Sequence, residues 1–166
     1  GGYSTHLVVP HARHLFDIGR LSPQEAAPLA CSGVTAFSAL KKVETSLAKE
    51  ALVIIGAGGV GLMATTLARK MGATDIIVVD IDPTKRQAAL QAGATRALDG
   101  AAPDAAAQIQ AATGGGAWAV LDFVGSGQTT TLAVAVLAKG GKVVVVGLYG
   151  GDINLPTPYF PLRAMT

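Results

Sequence analysis

"ALVIIGAGGVGLMATTLARKMGATDIIVVD" fills residues 51–80 and decides the fold. It opens on an apolar run, Ala51 to Gly56, with the composition of a strand buried on both faces. Glycines then stand at Gly56, Gly58, Gly59 and Gly61, and a helix is predicted from about Val60 to Met71. "DIIVVD" at 75–80 is a second buried strand, and it ends on Asp80, 19 residues after Gly61. A strand, a glycine turn, a helix and an acid-terminated strand make the βαβ unit that dinucleotide sites use.

Gly56-Ala57-Gly58-Gly59-Val60-Gly61 has the form G-x-G-x-x-G. In a chain with 21 glycines that form alone is weak, and a plain strand–helix turn is the bland alternative. Its flanks make it specific. Gly56 would permit the tight turn, and Gly58 would let the backbone approach a pyrophosphate at the positive end of the helix dipole. Gly61 would allow close helix–strand packing. A P-loop is excluded, because "LMATT" rather than Lys-Ser/Thr follows Gly61. A carboxylate at Asp80 suits the two hydroxyls of an adenosine ribose and repels a 2′-phosphate, which favours NAD over NADP. Lys85 and Arg86 are near enough to interfere, and Asp80 has a purely local alternative as the cap of the next turn.

The same alternation continues outward. Asp82-Pro83 begins a helix that Gly93 stops, and "ATRALD" (94–99) is a weak third strand. A helix over 104–112, a strand "AWAVLDFVG" (117–125), a helix over 128–138 and a strand "GKVVVVGLYG" (141–150) follow. Before the glycine turn, "THLVVP" (5–10) reads as a short strand. "SPQEAAPLA" (22–30) reads as a helix with Ser22 as cap and Glu25 completing a capping box. A further helix is predicted over Val34–Ala48, with Phe37, Leu40, Val43 and Leu47 on its apolar stripe. These elements specify an α/β fold: a doubly wound parallel sheet of the Rossmann type with five strands and a truncated sixth.

Bulk properties agree. Half of the 166 residues are hydrophobic and 14% are charged, which suits a buried sheet. The net charge of +2 comes with no Lys/Arg stripe, so a nucleic-acid partner is not expected. The most apolar run, Ala51–Ala64, is 14 residues long, below the roughly 20 that a membrane span needs. One cysteine, Cys31, excludes an internal disulfide and fits a reducing, cytoplasmic compartment. No signal peptide is visible, and the missing initiator Met hints at a piece of something longer. His6, His11 and His14 have no standard zinc spacing and are read as an exposed strand and turn.

With these motifs in place, the sequence resembles the medium-chain zinc-dependent alcohol dehydrogenases along its whole length. "GGYSTHLVVP" is similar to the strand leaving that family's catalytic domain, which makes residues 1–21 the tail of that domain and 22–166 an NAD-binding domain. "LACSGVTAFSALKKV" resembles the segment leading into the cofactor domain, and "VIIGAGGVG" resembles its loop. Cys31, Thr35 and Phe37 match the family's spacing, so the resemblance implies that Cys31 is the third protein ligand of a catalytic zinc. Judged without it, a lone Cys among small apolar residues is a buried hydrophobe.

The resemblance also implies cofactor contacts. Val60 would pack behind the nicotinamide, with Thr35 beside its reactive face. Ile81 would line the adenine slot, and Lys85 would reach the ribose. Val124, Gly125 and Leu148 would flank the nicotinamide end, with sheet-end packing as the alternative for Val124 and Leu148. The implied whole is an NAD- and zinc-dependent oxidoreductase acting on a small alcohol or carbonyl, and a homo-oligomer. The remaining zinc ligands and the proton relay are absent, so this chain is expected to fold without catalysing. A zinc-free quinone or enoyl reductase and a non-enzymatic nucleotide-sensing domain are the other classes, and Cys31 with Asp80 argues against the first.

Overall fold

Five parallel strands form one sheet in the computed structural model, which describes residues 3–165. They are β1 (Leu52–Ile55), β2 (Ile76–Asp80), β3 (Arg96–Asp99), β4 (Ala117–Asp122) and β5 (Leu137–Val145). Their order is β3-β2-β1-β4-β5, so the chain starts at the centre, winds out to one edge, and then crosses to the other. The crossover leaves a switch point between β1 and β4, where Ile55 pairs with Asp122.

Strand periodicity assigns the two faces. Leu52, Ile54, Ile76 and Val78 pack against Ala64 and Ala68 of α3 (Gly59–Lys70) and Ala89 of α4 (Pro83–Gln91). Val53, Ile55, Ile77 and Val79 pack against Ile109 of α5 (Ala105–Ala112) and Ala133 of α6 (Gly127–Ala135). Small residues on the helices let them sit close to a sheet of β-branched side chains. Helix α2 (Ser32–Lys41) joins the first layer through Ala36, Ala39 and Leu40.

Local chemistry sets the helix starts. At α1 (Pro23–Ala26) the Ser22 hydroxyl accepts from the Glu25 N–H, and the Glu25 carboxylate accepts from the Ser22 N–H at 2.9 Å. That backbone bond holds the Glu25 carboxyl below the usual carboxylate range. Asp82 caps α4 by accepting from the Thr84 N–H at 2.8 Å, which lowers its own carboxyl in the same way.

Several expected elements are corrected. Residues 5–10 form no strand: no other strand borders them, and Leu7 and Val8 are 69% and 92% exposed. Gly1 and Gly2, at the head of the expected catalytic-domain tail 1–21, lie outside the described residues, as does Thr166. The helix predicted over 34–48 starts at Ser32, ends at Lys41, and is followed by a 3-10 turn at Glu44–Ser46, because Val43 leaves the helical region at φ −120°. Val43 and Leu47 still reach the core. Strand β4 ends at Asp122, three residues early, where the chain turns into α6. Strand β5 runs over 137–145 rather than 141–150, with a bulge opposite Ala117 and Ala119. Beyond it, Gly147 crosses the turn after β4 so closely that a Cβ there would lie 2.1 Å from the Val124 carbonyl carbon. Among the described residues no sixth strand forms. The last element among the described residues is α7 (Tyr159–Arg163), where Arg163 donates to the Leu137 carbonyl at 2.6 Å. No helix among the described residues is long and apolar enough to cross a membrane.

Candidate functional site

The carboxyl end of β1 runs into the glycine turn, where the glycines fall into packed and open positions. Gly56 adopts φ +93° and donates its N–H to the Val79 carbonyl at 2.8 Å, tying the turn to β2. A Cβ on Gly61 would lie 1.8 Å from the Gly56 oxygen, so α3 docks onto the turn through the missing side chain. Gly58 and Gly59 differ: a Cβ on either meets no atom within 4 Å, and both line a cleft. The protein's own packing therefore does not require glycine at these two positions; their bareness leaves room for something else.

Helix α3 opens onto the same space. Helices α1, α4 and α6 carry side-chain caps, whereas Gly58 gives α3 none. First-turn N–H groups have no partner inside a helix, so this end presents donors and a positive dipole end.

Asp80 closes one side. Its Oδ2 accepts from the Ala57 N–H at 2.7 Å, and its Oδ1 accepts from the Asp82 N–H at 2.9 Å. The carboxylate therefore caps its own turn and grips the glycine turn at once. Arg86 backs this corner, donating from Nη1 to the carbonyls of Asp80 and Ile81, each at 2.9 Å.

Two clefts meet at the strand ends. The smaller, about 390 Å³, is lined by Gly56, Gly58, Gly59, Val60, Gly61, Asp80 and Lys85, with Phe123, Val124 and Tyr149 opposite. The larger, about 1030 Å³, runs past Ile55, Val79, Ile81 and Gly100 to the start of α6. Gly56, Asp80, Val124 and Tyr149 are common to both. This is the crevice outside the strand ends at the switch point, where doubly wound sheets place ligands.

Of the residues expected from sequence, eight line the smaller cleft: Gly56, Gly58, Gly59, Val60, Gly61, Asp80, Lys85 and Val124. Ile81 lines the larger. Cys31, Thr35, Gly125 and Leu148 line neither. Cys31 is exposed at the start of α2, with its carbonyl accepting from the Thr35 N–H, and Leu148 is 97% exposed. No three His, Cys, Asp or Glu residues among those described cluster as a metal site, so this chain's residues do not by themselves fit a zinc ion.

Sequence reasoning missed Phe123, Tyr149 and, above all, Asp122. Asp122 is fully buried at the end of β4. Its Oδ1 accepts from the Val124 and Gly125 N–H groups, both at 2.9 Å. Its Oδ2 accepts from the Thr129 and Thr130 hydroxyls at 3.0 and 2.9 Å. The signal was present: like Asp80, it is an acid that ends an apolar strand.

Known proteins share this architecture. An NAD-dependent alcohol dehydrogenase of Sulfurisphaera tokodaii is 39% identical over 164 residues, which are 98% of this chain and 47% of that protein. A D-arabinose 1-dehydrogenase (NADP(+)) of Saccharolobus solfataricus is 32% identical over 93% of this chain and 45% of its own length. Among solved structures, the alcohol dehydrogenase of Aeropyrum pernix superposes with a TM-score of 0.80 at 32% identity, covering 88% of this chain and 43% of that one. The chain thus spans about half the length of the curated relatives it matches. Residues 59–166 match the family model for zinc-binding dehydrogenases, and with most of its length matched, the chain belongs to that family, the medium-chain zinc-dependent alcohol dehydrogenases.

Proposed function

We propose that this chain is the NAD-binding part of a zinc-dependent alcohol dehydrogenase that moves a hydride between a small alcohol or carbonyl and NAD. One observation carries the cofactor assignment: the Asp80 carboxylate stands at the end of β2, bonded to the glycine turn beside the cleft that Gly58 and Gly59 leave clear. Relatives named for NAD and for NADP both occur, so family membership does not choose the cofactor and Asp80 must.

The residues fit a dinucleotide. Gly58, Gly59 and the first turn of α3 would hold the pyrophosphate, with Gly56 and Gly61 shaping the turn. Asp80 would accept from the ribose hydroxyls, Lys85 would approach the same ribose, and Ile81 would line the adenine slot. Val60, Val124, Gly125 and Leu148 are assigned to the nicotinamide end, with Thr35 beside its reactive face. When bound, the dinucleotide supplies the hydride-accepting ring; the chain's part is to bind and orient it. Cys31 is assigned as one zinc ligand of the whole protein, whose other ligands lie outside this chain. The whole protein is assigned as a cytoplasmic homo-oligomer, and residues 1–21 as the tail of its catalytic domain.

Calorimetric or fluorescence titration tests the reading. NADH should bind more tightly than NADPH, because a 2′-phosphate beside Asp80 places like charges together. Asp80→Ser should narrow the gap. Equal or stronger NADPH binding by the unaltered chain overturns the assignment.

A further inference from the structure

Two cations neighbour the ribose corner in sequence, and the fold treats them differently. Lys85 lines the smaller cleft. Arg86 lines neither cleft; its Nη1 is engaged by the carbonyls of Asp80 and Ile81 and lies 3.4 Å from Asp99 Oδ1. Asp99 is the register partner of Asp80 across β2 and β3. Partners in a parallel pair leave the sheet on the same face, so two carboxylates stand side by side with one guanidinium between α4 and the strand ends. The Arg86 side chain is only 21% exposed, while that of Asp99 is 43% exposed.

A guanidinium is the preferred protein partner of a phosphate monoester, through paired N–H donors. One stands a single bond network away from the carboxylate proposed to meet the ribose, yet it is committed to backbone carbonyls and to Asp99. We propose that Arg86 and Asp99 form a latch that withholds this cation from the ribose, which makes Asp99 a second determinant, beside Asp80, of selectivity against a 2′-phosphorylated dinucleotide. The latch rests on the dinucleotide site proposed above. Removing the Asp99 charge leaves Arg86 with neutral acceptors only, and a phosphate dianion then competes for it. Asp80 must also lose its charge before a phosphate can approach, so the effect emerges in that background.

The test is fluorescence titration of NADH and NADPH into the unaltered chain, Asp80→Ser, Asp80→Ser with Asp99→Asn, and the triple variant adding Arg86→Gln. Asp99→Asn should raise NADPH affinity about fivefold over Asp80→Ser alone, with NADH affinity held within about twofold. Arg86→Gln should then return NADPH affinity to the Asp80→Ser value. NADH affinity reports the integrity of the turn; where Arg86→Gln disturbs it, Arg86→Lys replaces it and should also lose most of the gain. No NADPH gain on Asp99→Asn, or a gain that survives loss of Arg86, overturns the latch while NADH binding leaves the site reading intact. Failure of the unaltered chain to bind either nucleotide overturns the site reading and the latch together.

Discussion

The turns after β1 and β4 are built from the same parts and are used in opposite ways. Both follow an apolar strand, both lead into a helix on the sheet, and both depend on a glycine pressed against backbone. A Cβ on Gly61 would lie 1.8 Å from the Gly56 oxygen, and one on Gly125 would lie 1.9 Å from the Gly147 oxygen. Both also involve a strand-terminal aspartate. Asp80 comes from the neighbouring strand and takes one N–H of the first turn, Ala57, leaving Gly58, Gly59 and an uncapped helix facing the cleft. Asp122 comes from the turn's own strand and is saturated by two N–H groups and two hydroxyls in full burial. The first turn leaves its remaining donors beside the cleft, and the second uses its donors to fix itself. In this molecule the open turn takes its carboxylate from the neighbouring strand and has an uncapped helix, and the closed turn takes its own and has Ser126 as cap.

The largest expected effect strikes the closed turn. Asp122→Ala removes the acceptor of the Val124 and Gly125 N–H groups and of the Thr130 hydroxyl, while the Thr129 hydroxyl keeps the Ser126 carbonyl, and should cost about 3 kcal/mol in chemical denaturation. Asp122→Asn, with similar shape but two donors of its own, should lie between. A loss below about 1 kcal/mol for Asp122→Ala would erase the distinction between the turns. The pressed glycines carry effects of similar size: Gly61→Ala and Gly125→Ala should each destabilise by about 3 kcal/mol, since a backbone oxygen must shift in both cases. The open turn then separates from the closed one. Gly58→Ala, at φ −74° with empty space around its Cβ, should change stability by less than about 0.5 kcal/mol. The same substitution should weaken NADH binding about tenfold by intruding on the cleft. Equal NADH affinity would show that the space above Gly58 is not where the pyrophosphate lies.

The smallest effect concerns acid. Glu25 and Asp82 have carboxyls held low by the N–H groups of Ser22 and Thr84. Depressed values in the folded chain mean that their contribution is present above the ordinary carboxylate range and is lost as pH falls through the folded values. Melting temperature should therefore decline gently below about pH 4. Carboxyl chemical shifts of Glu25 should titrate below those of a free glutamate, and a titration at or above it would contradict the capping box.

The sheet was legible because its central strands are unbroken apolar runs: β1 and β2 fall within a residue of their expected limits. "THLVVP" has strand composition too, but a strand exists only when another lies beside it, and a local pattern carries no information about that neighbour. The ends of β5 were misjudged for a related reason, since its bulge opposite Ala119 depends on pairing rather than on its own residues. In the candidate site, the glycine form and Asp80 were readable from their spacing together with the strand before the turn and the helix after it. Asp122 was overlooked because no glycine motif announces it, and Phe123 and Tyr149 because their meeting depends on how the loop after β5 crosses the β4 turn. Cys31 and Thr35 drew their meaning from resemblance, and the fold leaves them outside both clefts.

The strand order also bears on how the chain folds. Strand β1 gains its first neighbour nearby, where Leu52 meets Ile76, but its second only when Leu52 meets Ala119. The shorter loop closes with less entropy lost, so the β1–β2 unit with α3 is the natural nucleus and β4 docks onto it afterwards. The glycine turn is thus shaped in the nucleus, while its opposite wall, Phe123 and Val124, arrives with β4. A cleft between the unit that closes first and a strand that joins it later comes into being only once both are in place, so a molecule bridging it favours chains in which β4 has docked on β1.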